Sequence, residues 1–163
     1  LNVGLESTLN VVRHEVKYKA EVIKRLAPLP PVMCLAAQLN QVFMNLIVNA
    51  AHAIVDQGTI TLLSGVEQDW VWVQVEDTGS GMSAEVQRRI FEPFFTTKDV
   101  GKGTGLGMSL SFSIIQKHGG AIQVRSAVGQ GTAIRIWLPV AGPQALAKDA
   151  KPPAWEHEHE HTA

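Results

Sequence analysis

Three groups of residues in this chain have types and spacings suited to holding a flat, phosphorylated ligand. The first is Gly101-Lys102-Gly103-Thr104-Gly105-Leu106-Gly107. With no side chains in the way, several backbone N–H groups can converge there on one anion. A helix-periodic segment opens at the same point, and its unpaired N–H groups and positive dipole end also favour negative charge. Leu106, Leu110 and Ile114 fall four apart in it and predict a buried stripe, and Gly119-Gly120 after His118 predicts its stop. Glycines alone equally describe a flexible loop before an ordinary helix. A P-loop spacing is absent, and a dinucleotide fingerprint would need Gly where Met108 stands.

The second group lies on the strongest helical pattern, Ala36 to about Asp56. Leu39, Val42, Phe43, Leu46, Ile47, Ala50, Ala53 and Ile54 follow the helical period. Gln38, Gln41, Asn45, Asn49, His52 and Asp56 line another stripe. Solvated faces usually carry Lys and Glu, and this one carries neither. Two poor helix formers one turn apart therefore point to a ligand-facing surface. The third group is Asp77-Thr78-Gly79-Ser80-Gly81-Met82 at the end of an apolar strand. A carboxylate followed by spaced glycines can meet a flat base while the backbone passes beneath it, although an acidic turn reads the same way.

Positioning these groups takes one domain, and 163 residues are enough for one with a real core. Lys+Arg 14 against Asp+Glu 15 gives a net charge of -1, so no basic field advertises nucleic acid or an anionic membrane. The single cysteine, Cys34, reads as a small core residue. Neither a membrane-length apolar run nor a signal peptide is evident, which leans towards a cytoplasmic setting.

Leu5 to about Lys19 predicts an amphipathic helix with Leu5, Leu9, Val12 and Val16 on one face, and His14-Glu15 on it reads as a surface pair. Ala20 to Leu26 predicts a strand ended by Pro28, Pro30 and Pro31. Thr59 to Val66 and Trp70 to Val75 predict a hairpin around Glu67-Gln68-Asp69. Ala84 to Ile90 predicts a short helix. Phe91 to Lys98 reads as a hydrophobic anchor for a loop, about Thr96 to Gly105, whose low apolar content predicts mobility. Gly120 to Ser126 and Gly131 to Leu138 predict a second hairpin. The domain is expected to span 1–140. Residues 141–163, with alternating Glu and His from Trp155 to His161, read as a flexible tail of disordered or vector-derived sequence.

Taken in order, these clusters resemble bacterial sensor histidine kinases. Asn45-Leu46-Ile47-Val48-Asn49-Ala50 is similar to their N box and Asp77 to Met82 to their first glycine box. Phe91 to Lys98 is similar to the F box, and Gly101 to Gly107 with His118-Gly119-Gly120 to the second glycine box. Phe94-Phe95-Thr96-Thr97-Lys98 looks closest to the nitrogen-regulator subtype. The resemblance covers about Leu5 to Pro139. It implies an α+β fold of the Bergerat type, shared with DNA gyrase B, mismatch-repair ATPases and a heat-shock chaperone. That fold is a two-layer α/β sandwich, a mixed sheet of about five strands with three main helices on one face.

The resemblance also implies roles. Asn49 would be the one direct protein ligand of Mg²⁺, since phosphates and waters complete an octahedral shell. Asn45 would contact phosphate or metal-bound water, and His52 would reach a phosphate. Asp77 would accept from the adenine amino group, with Gly79, Gly81 and Met82 along the base and Thr132 in support. Thr97, Lys98, Lys102 and Thr104 would belong to the lid. Gly103, Gly105, Leu106 and Gly107 would donate N–H groups to the phosphates of ATP.

ATP-hydrolysing relatives carry a Glu four residues before the metal Asn. Here that position is Asn45, an amide that cannot take the proton of an attacking water. The expectation is therefore transfer of the γ-phosphoryl group to a histidine on a dimerisation domain, with hydrolysis or pure nucleotide sensing as the alternatives. Such a domain is missing from this sequence, which is expected to begin just after it. The chain is thus expected to bind ATP·Mg²⁺ without phosphorylating itself and to stay monomeric. Its partners would be that dimerisation domain and a response-regulator receiver domain.

Overall fold

Helix α3 (Ala36–Ala53) is the central element of the computed structural model, which describes residues 1–95, 106–143 and 150–155. Its face of Leu39, Val42, Phe43, Leu46, Ile47, Ala50 and Ala51 is buried, as the 3.6-residue period requires. It stops three residues before the expected end. Ile54 turns extended there, with φ −87 and ψ 120, and is buried in the core. Before it lie α1 (Asn2–Val11), α2 (Arg13–Val16) and β1 (Ala20–Leu26). The single amphipathic helix expected from Leu5 to Lys19 is two helices broken at Val12, in a run of two β-branched residues that resist helix. Leu5, Val12 and Val16 still face the core, and His14 is exposed.

Strand β2 (Gly58–Glu67) pairs parallel with β1, and α3 supplies the crossover that a parallel pair needs. Strand β3 (Trp70–Asp77) folds back on β2 as the predicted hairpin. A short helix, α4 (Ala84–Arg89), follows, its first turn capped by Ser83, whose hydroxyl accepts from the Val86 N–H. Helix α5 (Gly107–Lys117) leads into β4 (Ala121–Ala127) and β5 (Gly131–Pro139), the second hairpin. The sheet order is β1-β2-β3-β5-β4. Ile60, Leu62, Val71, Val73, Val75, Ile134, Ile136 and Leu138 point to the helices and form the core with α1, α3 and α5. This is a two-layer α+β sandwich with a mixed five-stranded sheet.

One prediction about α5 fails. Leu106 and Leu110 are 41% and 46% exposed, and of the expected stripe only Ile114 is buried. The buried face is Met108, Ser111, Ile114 and Ile115. Ser111 can enter because its hydroxyl donates to the Gly107 carbonyl (2.9 Å) and meets the Asn45 amide. A hydroxyl satisfied in this way packs like a small apolar group, so counting apolar residues misplaced the face. His118 closes α5 and ties it to α3. Its Nδ1 donates to the Ile114 carbonyl (2.8 Å), and its Nε2 accepts from the Leu35 N–H (3.1 Å). Cys34, beside that contact, is half-buried against the core with a free thiol.

Candidate active site

The polar stripe of α3 faces the start of α5. The Asn45 side-chain N–H₂ donates to the Gly107 carbonyl (3.0 Å) and to Ser111 Oγ (3.2 Å). Gln41 Nε2 donates in turn to Asn45 Oδ1 (3.1 Å). Asn45 thus fixes the first turn of α5, where unpaired N–H groups and the dipole favour an anion, against the helix that carries Asn49. Asn49 lies one turn further on and is half-buried, and among the described residues its amide has no hydrogen-bond partner. His52, the next member of the stripe, leans towards α2, where its Nε2 is 3.4 Å from Glu15 Oε2. Leu106 stands half-exposed at the cap of α5.

Truncating Asn45 and truncating Asn49 should therefore differ. Asn45→Ala removes the two hydrogen bonds that tie α3 to α5 and is expected to cost about 1–3 kcal/mol of stability, read by urea unfolding. Asn49→Ala should cost little.

Asp77 ends β3 directly opposite Thr132, the second residue of β5. Its Oδ1 accepts from the Gly79 N–H (2.8 Å), and the Thr132 N–H also donates to the carboxylate. Burial pushes the Asp77 carboxyl above its ordinary value of 3.8, and those two N–H groups only partly offset it. Thr132 Oγ1 lies 2.8 Å from Ser126 Oγ, which also accepts from the Met82 N–H (2.8 Å). The backbone passes close beneath this corner. A Cβ on Gly79 would lie 2.5 Å from the Ala53 carbonyl at the end of α3, so that loop seats directly on the helix. Gly81 has φ +71, and a Cβ there would be 2.0 Å from the Ala127 carbonyl. Gly81→Ala is accordingly expected to lower unfolding free energy by about 1–3 kcal/mol, measured by urea denaturation.

Of the residues that the sequence singles out, Asn45, Asn49, Asp77, Gly79, Gly81, Met82, Leu106, Gly107 and Thr132 lie on α3, the end of β3, the β3–α4 loop, the start of α5 and the start of β5. Thr97, Lys98, Lys102, Gly103, Thr104 and Gly105, and the mobility expected of that loop, lie outside the described residues. Ser111 and Ser126 were missed. Ser126 faces Thr132 across the β4–β5 pair, a Ser–Thr register that a hairpin alignment reveals.

Among the described residues no group of three or more His, Cys, Asp or Glu could hold a metal ion. One unpartnered amide is too small a donor set for a divalent cation alone, but it fits a cation that arrives already held by phosphates. A carboxylate with bare backbone under it at one end, and a helix N-terminus beside an amide stripe at the other, are features suited to a flat, phosphorylated ligand.

The chain belongs to the family described as histidine kinase-, DNA gyrase B-, and HSP90-like ATPase, which residues 34–142 match. Sensor kinase CckA of Brucella abortus is 44% identical over 135 residues, covering 74% of this chain and 14% of that protein. Sensor histidine kinase ZraS of Salmonella typhi is 39% identical over 153 residues, 88% of this chain and 31% of that protein. The chain therefore spans under a third of the length of these curated relatives. Among solved structures, the nucleotide-free catalytic domain of histidine kinase ThkA is similar, with TM-score 0.79 and 28% identity, covering 90% of this chain and 95% of that one. Full-length ShkA in complex with AMPPNP matches with TM-score 0.76 and 26% identity, over 85% of this chain and 30% of that one.

Proposed function

We propose that this chain is the ATP·Mg²⁺-binding catalytic domain of a two-component sensor histidine kinase, transferring the γ-phosphoryl group to a histidine on a dimerisation domain. The observation that carries this reading is the Asn45–Gly107 hydrogen bond. It ties the start of α5 to the helix that carries Asn49, whose amide has no hydrogen-bond partner among the described residues. The likeness to sensor kinases and to a kinase solved with AMPPNP supports the same reading.

Asn49 would supply the protein ligand to Mg²⁺, which neutralises phosphate charge when bound. Asp77 would accept from the adenine amino group, over the bare backbone of Gly79 and Gly81. The N–H groups at the start of α5 would donate to phosphate oxygens. Asn45 cannot act as a base towards water, so the site favours an external nucleophile. A histidine imidazole nitrogen forms the new P–N bond, the bond from γ-phosphorus to the bridging oxygen breaks, and ADP leaves. His52 would reach a phosphate from its place beside Glu15. Thr97, Lys98, Lys102, Gly103, Thr104 and Gly105 would close over the triphosphate.

A response-regulator receiver domain would be the onward partner, and this chain alone would be monomeric and cytoplasmic. Among the described residues no helix is long and apolar enough to cross a membrane. Labelled ATP, offered to the chain with and without a histidine-bearing dimerisation domain, tests the reading. Label should appear only on the added domain. Free phosphate release at an equal rate without that domain would favour the hydrolase instead.

A further inference from the structure

The face of the sheet turned away from the helices is expected to be wet, because antiparallel strands usually alternate between core and solvent. Here it is covered. On β3 and β5 the outward residues Trp70, Trp72, Gln74, Arg135 and Trp137 are all buried, Arg135 with only 4% exposure. A charged side chain at that depth needs partners on the face itself. The Arg135 guanidinium lies 3.9 Å from the ring centre of Trp72 and 5.4 Å from that of Trp137, and its Nε donates to Gln74 Oε1 (2.6 Å). Trp72 lies flat across Gly65 on the neighbouring strand, where a Cβ would be 2.5 Å from the ring. Trp137 Nε1 donates to Gln123 Oε1 (2.9 Å). The face is thus a layer of indole and guanidinium planes with its polar atoms satisfied.

Its remaining side is taken by the chain itself. Residues 150–155 return over the sheet, and the Trp155 ring lies 4.1 Å from the Arg125 guanidinium and 4.8 Å from that of Arg135. Arg125 Nη2 also donates to the Trp155 carbonyl. Two cations on one indole, plus a main-chain hydrogen bond, recognise both the aromatic ring and the backbone that carries it. Pro152 and Pro153, half-buried just before it, hold the approach extended and reduce the entropy lost on docking.

We propose that the helix-free face of the sheet is a binding site for an indole preceded by prolines, built from Arg125 and Arg135 over Trp72 and Trp137. Pro152–Trp155 of this chain is its ligand in cis. The site shares no ligand with the nucleotide site and stands independently of the kinase reading.

The test uses the full chain and its Trp155→Ala and Trp155→Phe variants, reading the arginine Nε–H and side-chain proton signals by NMR. The core methyls of Ile134 and Ile136 report that the fold is intact. In the unaltered chain Arg125 should show upfield ring-current shifts, lost in Trp155→Ala and partly kept in Trp155→Phe. The peptide Ala-Lys-Pro-Pro-Ala-Trp, titrated to millimolar concentration into Trp155→Ala, should restore them saturably. The peptide ending in Ala should not. Arg125 signals alike in the unaltered chain and Trp155→Ala would overturn the proposal. So would a tryptophan peptide that leaves Arg125 unmoved.

Discussion

Asn49→Asp is expected to lower phosphoryl transfer to a supplied histidine-bearing domain by about two to three orders of magnitude, with urea unfolding nearly unchanged. The fold should tolerate the change because Asn49 is half-buried and, among the described residues, gives its amide to nothing. Asp and Asn also have similar helix propensities. Function should not tolerate it. A neutral amide lends an oxygen to a cation while leaving most of the cation's field to the phosphates. A carboxylate adds negative charge next to them and competes for the same cation. Single-turnover transfer from labelled ATP, alongside a denaturation curve, separates the two effects. Transfer at the unaltered rate would mean that Asn49 does not face the metal. A parallel loss of stability would mean that the residue braces the fold as Asn45 does.

Asp77→Asn should move affinity and stability in opposite directions. Affinity for ATP should fall about ten- to a hundredfold, the loss of a hydrogen bond to a charged acceptor at about 1.5–3 kcal/mol. Preference over GTP should shrink with it, as read by competition calorimetry. The unliganded domain, by contrast, should become more stable at neutral pH. Burial raises the Asp77 carboxyl above 3.8, with the Gly79 and Thr132 N–H groups offsetting only part of that effect. The folded state therefore holds this proton more tightly than the unfolded chain does. That contribution to stability is fully present below 3.8 and is lost as pH rises through the folded value. The variant should accordingly outlast the unaltered protein in urea near pH 7. The gap should close as the medium is acidified and Asp77 becomes neutral. A gap that widens in acid would show that the carboxylate stabilises the unliganded fold, against the sign expected from burial.

Much of this architecture is readable from residue order because local period and tertiary burial agree. The apolar stripe of α3, the strand from Ala20 to Leu26 and both hairpins follow spacing and turn chemistry that the packed domain has no reason to override. The misplaced face of α5 has a cause that residue order hides. Ser111 and Thr8 are buried with their hydroxyls bonded to carbonyls four residues back, while Leu106 and Leu110 are left half-exposed. Periodicity counts side-chain polarity and cannot see whether a hydroxyl has a partner. The outer face was illegible for the same reason. Arg135 and Gln74 alternate with core residues and read as solvent-facing, yet stacking and a mutual hydrogen bond take both out of water. At the site, residue types single out Asn49 and Asp77 as candidates from the sequence alone. The second task of Asn45, holding α5 by its first carbonyl, needs a contact 62 positions away and emerges only from the fold.

A crystal structure of this chain with a non-hydrolysable ATP analogue and Mn²⁺, the ion located by its anomalous signal, would show whether Asn49 and Asp77 hold the nucleotide. The expected result is the Asn49 side-chain oxygen among the metal's ligands and the Asp77 carboxylate within hydrogen-bond distance of the adenine amino group. An analogue bound with Asn49 turned from the metal, or with its base remote from Asp77, would contradict the account even with every helix and strand where it stands now.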